Sequence, residues 1–520
     1  MPILDWIGKK AVENHDKDVP FRLLKKNKSK SVGDSENLII EGDNLEALKA
    51  LLPYYRNKIK CVYIDPPYNT GNEKWVYNDN VNSPKIQKWL GKVVAGEDDD
   101  LTRHDKWLCM MYPRLKLLRE LLSDDGIIFV SIDENEVNNL SLIMNEIFDK
   151  RNFRNTISVR RFDKNINLQF IKNGLTSFNV GFEYVLVYSK NPETKLKPIF
   201  REPTKERSSK GYWKGFHNDA DRRTMRYDIL GVTPKSGQWK WKKEVAFEAI
   251  KNYQEYEKKH SKLYSLEKYW LETGKTKKFI RRKLSGKGTN RGVEHWIPPS
   301  EGILRNTLWN DIFASGPIKN SDVEFDNPKN VEMIKNLIQI STDDDSIILD
   351  SFAGSGTTGE AVIQINVETK SKRKFILIEL EKKIAENKTS KRINDVINNQ
   401  KSKNSIGFQY AVLDKKLFNS DGRINDSCTF EELSSYIYFT ETKTILDTKP
   451  NKTLIATHND TDYHLIFNGI GKNNLDRKFL TSLDRQKNKV IYADKCTLDD
   501  SLLEKHNTIF KQIPYEVREF

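Results

Sequence analysis

The sequence predicts an α/β protein built on a parallel sheet, with a basic domain set into it, and three observations carry that prediction. Short apolar runs alternate with segments of helical spacing, one run stops at an acid and two prolines, and a later one enters a glycine-rich turn that opens a helix. Strands separated by helices pair in parallel, because a parallel partner is reached only through a long crossover.

In chain order, residues 37–42 (NLIIEG) read as a strand, and Asp43 caps the helical stretch DNLEALKALLPYY. KCVYID is the second strand, and it runs into DPPYNTGN. Proline lacks the N–H that a central strand needs, so the sheet stops at Pro66 and the next side chains project from its carboxyl edge. Ligands of open α/β sheets sit at that edge. After a loop rich in Asp and Asn, WLCMMYPRLKLLRELL has helical spacing and GIIFVSID is a buried strand. TISV (156–159) and EYVLVY (183–188) continue the sheet. The alternation fades over 191–300 and returns at 346–380 with SIILDSFAGSGTTGEAVIQIN and the strand KFILIEL. One sheet, interrupted and resumed, is the simplest geometry. The Lys/Asn-rich stretch 387–404 reads as a polar helix or linker, and residues beyond 407 as a small α/β appendage. The expected divisions are an N-terminal extension (1–36), a first core half (37–190), the basic domain (191–300), a second core half (301–410) and a C-terminal region (411–520).

The 520 residues exceed the usual single-domain range. Four scattered cysteines without a CxxC pair or a histidine cluster point to a reducing cytosol and away from structural zinc. There is no 18-residue apolar run, mean hydropathy is −0.68, and the first residues are too polar and acidic for a signal peptide, so a soluble cytoplasmic protein with no membrane partner is expected. Net charge is +14, and residues 201–300 hold 25 Lys and Arg against 12 Asp and Glu. Fourteen aromatics are interleaved there, among them Tyr212, Trp213, Trp239, Trp241, Tyr269 and Trp270. Cations neutralise phosphates and rings stack on bases, which suits nucleic acid; a solvated lysine-rich surface is the bland alternative.

The turn DSFAGSGTTGEA (350–361) satisfies GxGxxG through Gly354, Gly356 and Gly359. No GK[ST] follows, so a P-loop is excluded. A dinucleotide site remains open, because Glu379 ends the next strand and could bind ribose hydroxyls. The third reading is S-adenosylmethionine, which carries no phosphate. Asp350 favours it, since a carboxylate at the mouth of the turn repels a pyrophosphate and attracts a methionine ammonium. An acid that merely caps the turn is the structural alternative.

DPPY (65–68) followed by DSFAGSGTT (350–358) resembles the amino-group DNA methyltransferases with the catalytic motif ahead of the cofactor motif, the permuted β class. GDNLEAL, the WLCMMYPRLKLLRELLSDDGIIFVSIDENE block, VGFEYVLVYSKN and GFQYAVL look more narrowly like the modification (Mod) subunit of type III restriction-modification systems, over residues 37–413. The resemblance implies a Rossmann-like methyltransferase sheet in circularly permuted order, with an inserted basic target-recognition domain. It implies methyl transfer from S-adenosylmethionine to N6 of a flipped adenine in double-stranded DNA. The partners it implies are a second copy of the chain and a restriction (helicase-nuclease) subunit.

At the site, the Asp65 carboxylate and the carbonyl of Pro66, held stiff by Pro67, would accept from the two amino hydrogens while Tyr68 stacks on the base. Cys61 lies inside a strand and reads as packed, not nucleophilic. Asp350, Phe352, Gly354, Gly356 and Thr358 are carried over for the methionine end, Glu379 for the ribose and Asp43 for the adenine amino group. Where the family has a Gln-Lys-Pro core, this chain has Asn327, Pro328 and Lys329, which makes Lys329 a candidate cofactor contact. Asp105 and Trp107, in TRHDKW, are expected to brace the helix below the site. Cytosine-N4 methylation, a non-catalytic DNA-specificity subunit and an NAD-dependent oxidoreductase are the rival functions.

Overall fold

The computed structural model describes residues 4–33, 35–70, 100–162, 178, 180–202, 210–286, 288, 291–299, 302–400, 406–419, 423–446 and 448–516. The polar loop expected after Tyr68 and the end of the Lys/Asn-rich stretch lie outside them. The chain divides into two compact units, Met1–Lys197 with Asn306–Phe520, and Pro198–Arg305.

The first unit is organised by ten strands: β1 (Phe21–Lys26), β2 (Leu38–Glu41), β3 (Ile59–Ile64), β4 (Leu122–Ile132), β5 (Phe153–Arg160), β6 (Phe182–Ser189), β7 (Leu308–Phe313), β8 (Ile347–Asp350), β9 (Lys374–Glu379) and β10 (Gln409–Phe418). They form one sheet in the order β1-β10-β2-β9-β8-β3-β4-β6-β5-β7. The six strands from β10 to β4 run parallel, while β1 and β6 are antiparallel to their neighbours, giving a Rossmann-like α/β sheet. Its helices are α1 (Asn44–Tyr55), α2 (Asp100–Leu121), α3 (Val137–Phe148), α4 (Val331–Ser341), α5 (Thr357–Thr369), α6 (Lys391–Asn398) and α7 (Phe430–Thr442). The central strands are apolar without alternation because both faces are covered: Ile39, Ile40, Val62, Ile348 and Leu377 are all fully buried. The chain passes from β2 through α1 to β3, yet β9 and β8 from the later half fill the gap between them. The two halves of the sequence thus make one sheet.

The structure redraws three expectations. Residues before 37 supply the edge strand β1, and β10 spans the boundary expected at 410, because the two pair with each other. The C-terminal region does form a four-stranded sheet, Leu454–His458, Thr461–Leu465, Asn488–Ala493 and Thr508–Gln512. Its leading helix α7, however, seats Phe439 against Tyr54 of α1 with ring centroids 4.5 Å apart, so it shares the main core. The stretch read as a polar helix or linker is helical over α6, whose Arg392 is fully buried against Glu360. Among the described residues no helix is long and apolar enough to cross a membrane.

The second unit carries a three-stranded antiparallel sheet (Ile280–Arg282, Val293–Ile297, Tyr212–Gly215) and the helix Lys243–Glu255. Most of the aromatics singled out from the sequence are spent on its own packing. Trp239 and Tyr269 lie in its cores, while Arg281 covers the Trp213 ring at 4.1 Å and Lys278 covers Trp241 at 5.0 Å. A small domain needs large side chains to close its cores, and that demand takes rings expected to meet bases.

Candidate active site

β3, β8 and β9 are neighbours at the centre of the sheet, so their carboxyl ends share one edge. Asp65 follows β3 directly, Asp350 ends β8 and Glu379 ends β9. Leu349 pairs with Val62 and Asp350 with Leu377, which brings two loops almost 290 residues apart side by side. A cavity of 760 Å³ opens there, lined by Asp65, Pro66, Pro67 and Tyr68 from one loop and Phe352, Gly354 and Glu379 from the other two, with Lys329, Arg161 and Glu183 closing it.

The loop after β3 is fastened from below. The Trp107 indole, fully buried on α2, donates to the Pro67 carbonyl at 2.7 Å. Asn69, with φ +60°, donates to the buried Glu136, which His104 also contacts at 2.5 Å. Trp107 therefore holds the loop itself, more than the helix it was expected to brace. Asp65 keeps 28% of its side chain exposed and turns its carboxylate to the cavity. Burial pushes the Tyr68 hydroxyl well above its ordinary range, so it stays protonated. Cys61, inside β3, is packed as expected, and burial pushes its thiol up to about 12.

Lys329, the candidate cofactor contact, lines the cavity beside the β3 loop. Its ammonium donates to Glu183 Oε1 at 2.6 Å and to the Tyr68 hydroxyl at 2.5 Å, and lies 3.2 Å from Asp65 Oδ1. Burial works to lower the Lys329 pKa, but the Asp65 and Glu183 charges together hold it above the ordinary lysine value. The lysine thus serves the β3 loop, not the glycine turn. Glu183, which the sequence reading quoted only as part of a strand, is 3% exposed, and burial raises it above the usual carboxylate range. It reaches this edge because β6 runs backwards: Tyr184 pairs with Ile132, so the start of β6 lies at the end of β4.

The turn after β8 closes upon itself. Asp350 Oδ1 accepts from the Phe352 N–H at 3.0 Å and Oδ2 from the Thr358 hydroxyl at 2.5 Å. At 3% exposure the carboxylate is not at the mouth of the turn but beneath it, and burial pushes it up to about 7. Gly354 and Gly356 adopt φ of +50° and +85°, which only glycine takes without strain. The Gly354 N–H donates to Glu379 Oε2 at 2.9 Å, and burial pushes Glu379 up to about 7 as well. Arg392 binds Ser355 and Thr357 behind the turn at 2.6 and 2.9 Å, so α6 acts as its backing. Gly359 faces α6 instead of the cavity: a Cβ there would stand 2.6 Å from Ile393. Asp43 caps α1 through the Leu45 N–H at 2.8 Å and pairs with Arg114 at 3.2 Å. Of the residues carried over for the cofactor, Phe352, Gly354, Glu379 and Lys329 line the cavity, while Asp43, Asp350, Gly356 and Thr358 stand behind it.

The DNA methylase family profile matches residues 59–392, well over half of the 520. The Mod subunit of the type III restriction-modification enzyme EcoPI from Escherichia phage P1 is 29% identical over 465 residues, covering 78% of this chain and 66% of that one. The StyLTI Mod subunit of Salmonella typhimurium strain LT2 is 30% identical over 74% of this chain and 58% of its own. This chain therefore spans less than two thirds of the length of those Mod relatives. The type II methyltransferase M.KpnI of Klebsiella pneumoniae is 30% identical, with 65% of this chain and 79% of that one covered. With the profile running across both halves of the sheet and the cavity between them, the chain belongs to the DNA methylase family.

Proposed function

We propose that the chain is a site-specific DNA methyltransferase that moves a methyl group from S-adenosylmethionine to N6 of a flipped-out adenine, as the modification and specificity subunit of a type III restriction-modification system. The observation that carries this reading is the single cavity bounded by both loops, DPPY on one side and the glycine turn on the other. Mod subunits among the relatives supply the system.

The donor set suits S-adenosylmethionine better than a dinucleotide. Around Gly354 the cavity carries Glu379 and Glu381 with Phe352 and Ile384, acidic and apolar groups that repel a pyrophosphate and suit a ribose and a cationic methionine end. Lys329 is already committed to two acids. Bound there, S-adenosylmethionine supplies an electrophilic methyl group. The chain's part is orientation: Asp65 and the Pro66 carbonyl accept from the amino hydrogens of the base, and the Tyr68 ring offers a face to it. Pro198–Arg305 serves as target-recognition domain, its cations binding phosphates of double-stranded DNA and repaying the few kcal/mol that base flipping costs. A second copy of the chain and a restriction subunit complete the assembly in the cytoplasm.

The test is transfer of a labelled methyl group to duplex DNA by the purified chain, with the product nucleoside identified. N6-methyladenine is expected; N4-methylcytosine as sole product would overturn the base assignment, and binding of NAD in place of S-adenosylmethionine would overturn the cofactor.

A further inference from the structure

We propose that Lys329, held by Glu183, is a positioning residue of the transfer site that fixes the Asp65 carboxylate and the Tyr68 ring, and is not a cofactor contact. This rests on the methyltransferase reading above and adds two residues to it.

The geometry assigns each donor of the ammonium. One hydrogen goes to Glu183 Oε1, one to the Tyr68 hydroxyl, and the third side faces Asp65 Oδ1 at 3.2 Å. The Lys329 and Glu183 side chains are only 8% and 4% exposed, so neither charge is there for solubility. A buried lysine with a single carboxylate partner would form a closed pair; this one is shared between two carboxylates. One of them is the residue that must accept a hydrogen bond from the target amine. Two carboxylates this near each other repel, and a cation between them holds both in place. Lys329 is that cation. Among the described residues, Tyr63 on β3, Arg161 after β5 and Asp350 at the end of β8 also face the cluster. Arg161 favours the ionised form of Glu183, whereas Asp350 is raised chiefly by its own burial and only secondarily by Asp65.

The lysine is also placed to set the ring. Its Nζ bonds the Tyr68 hydroxyl, so it holds the ring at its polar end. Lys329 itself is fixed by backbone: Gly316 donates to the Pro328 carbonyl at 3.0 Å, Asn330 donates to Ala314 at 2.9 Å, and Asn330 caps α4. A cation anchored this firmly transmits its position to both partners.

The inference yields an order of activities that a merely structural role does not. In Lys329→Met the two carboxylates face each other without a cation and Asp65 and Tyr68 lose their anchor, so kcat falls about 100-fold. Lys329→Met combined with Glu183→Gln removes the second acid, so the double variant is faster than Lys329→Met alone. Lys329→Arg, which keeps a cation there, retains more of kcat than Lys329→Met, and Glu183→Gln, which takes away one partner of the ammonium, lowers kcat about tenfold. The Kd for S-adenosylmethionine stays within about twofold throughout.

These rates are measured as labelled methyl transfer to duplex DNA, beside calorimetric titration of the cofactor and a melting curve for each variant. A double variant no faster than Lys329→Met, a Lys329→Arg no faster than Lys329→Met, or a loss confined to cofactor affinity would overturn the proposal. Should Lys329→Met fail to fold, Glu183→Gln decides: a kcat at the wild-type value overturns it. An inactive wild type would instead count against the methyltransferase reading, which keeps the two failures apart.

Discussion

The loop after β3 and the turn after β8 leave adjacent parallel strands at the same edge, and each begins with an aspartate, yet they are built in opposite ways. Asp65 is 28% exposed and faces the cavity, and its loop is held by groups from elsewhere: Trp107 on α2, Glu136 before α3, Lys329 before α4. Asp350 is 3% exposed and bonded within its own turn to Phe352 and Thr358. A carboxylate that must meet a substrate cannot also satisfy its own backbone, so the first loop borrows its rigidity. The second uses its carboxylate to hold shape and presents backbone to the cavity instead. Similar sequence signals, an acid where a strand stops, thus mark a cavity-facing group in one case and a fastening in the other.

That contrast can be broken by exchanging the consequences of the two aspartates. The largest effect is expected from Asp65→Ala, which should lower methyl transfer by at least about 1000-fold while leaving the melting temperature and the affinities for cofactor and DNA near wild type. Asp350→Ala should act the other way round. It strands a buried N–H and a buried hydroxyl, so a stability loss of about 3 kcal/mol is expected in chemical denaturation, with cofactor affinity falling alongside. An Asp350→Ala variant that melts like wild type but fails to transfer methyl would place both aspartates in one class and remove the distinction.

A smaller, graded effect sharpens the same point. Burial raises Asp350 to about 7, while the unfolded residue titrates near 4. Between those values the native state holds the extra proton, so this group's contribution is full below about pH 4 and is lost as pH rises to about 7. The stability gap between wild type and Asp350→Asn should therefore narrow over that window, as melting temperatures taken across it would show; a gap independent of pH would mean the carboxylate is already ionised in its turn. The smallest effect belongs to Trp107→Phe, which loses one hydrogen bond to the Pro67 carbonyl. About 1 kcal/mol of stability and a several-fold fall in kcat are expected, with cofactor affinity unchanged.

Much of the site was legible before any coordinates. DPPY announces itself because prolines cannot continue a central strand, and the glycine turn because a strand, glycines and a helix follow in that order. Glu183 was not legible as a site residue. It sits inside an ordinary apolar strand, and only the antiparallel direction of β6 carries it to the carboxyl edge. Lys329 was named only as a candidate cofactor contact, since its place in the chain, shortly before the glycine turn, says nothing of the β3 loop that its four-carbon stem reaches. The basic, aromatic segment was read as one surface. Its rings divide between core and cation-covered flank, a difference that hydrophobic spacing over so irregular a stretch does not encode.

By itself, then, the sequence determined which strands are buried, where each must end, and which acids and glycines stand at those ends, because burial on both faces and proline chemistry are local demands. Only the tertiary structure decided which ends meet and which charges share a space. The order β9-β8-β3-β4-β6 brings Asp65 and Glu183 to one edge, where both meet the Lys329 cation, although the three come from distant segments. The physical reason is that strand pairing and direction are set by the packing of the whole sheet, while electrostatic coupling acts over a few ångströms regardless of the length of chain between.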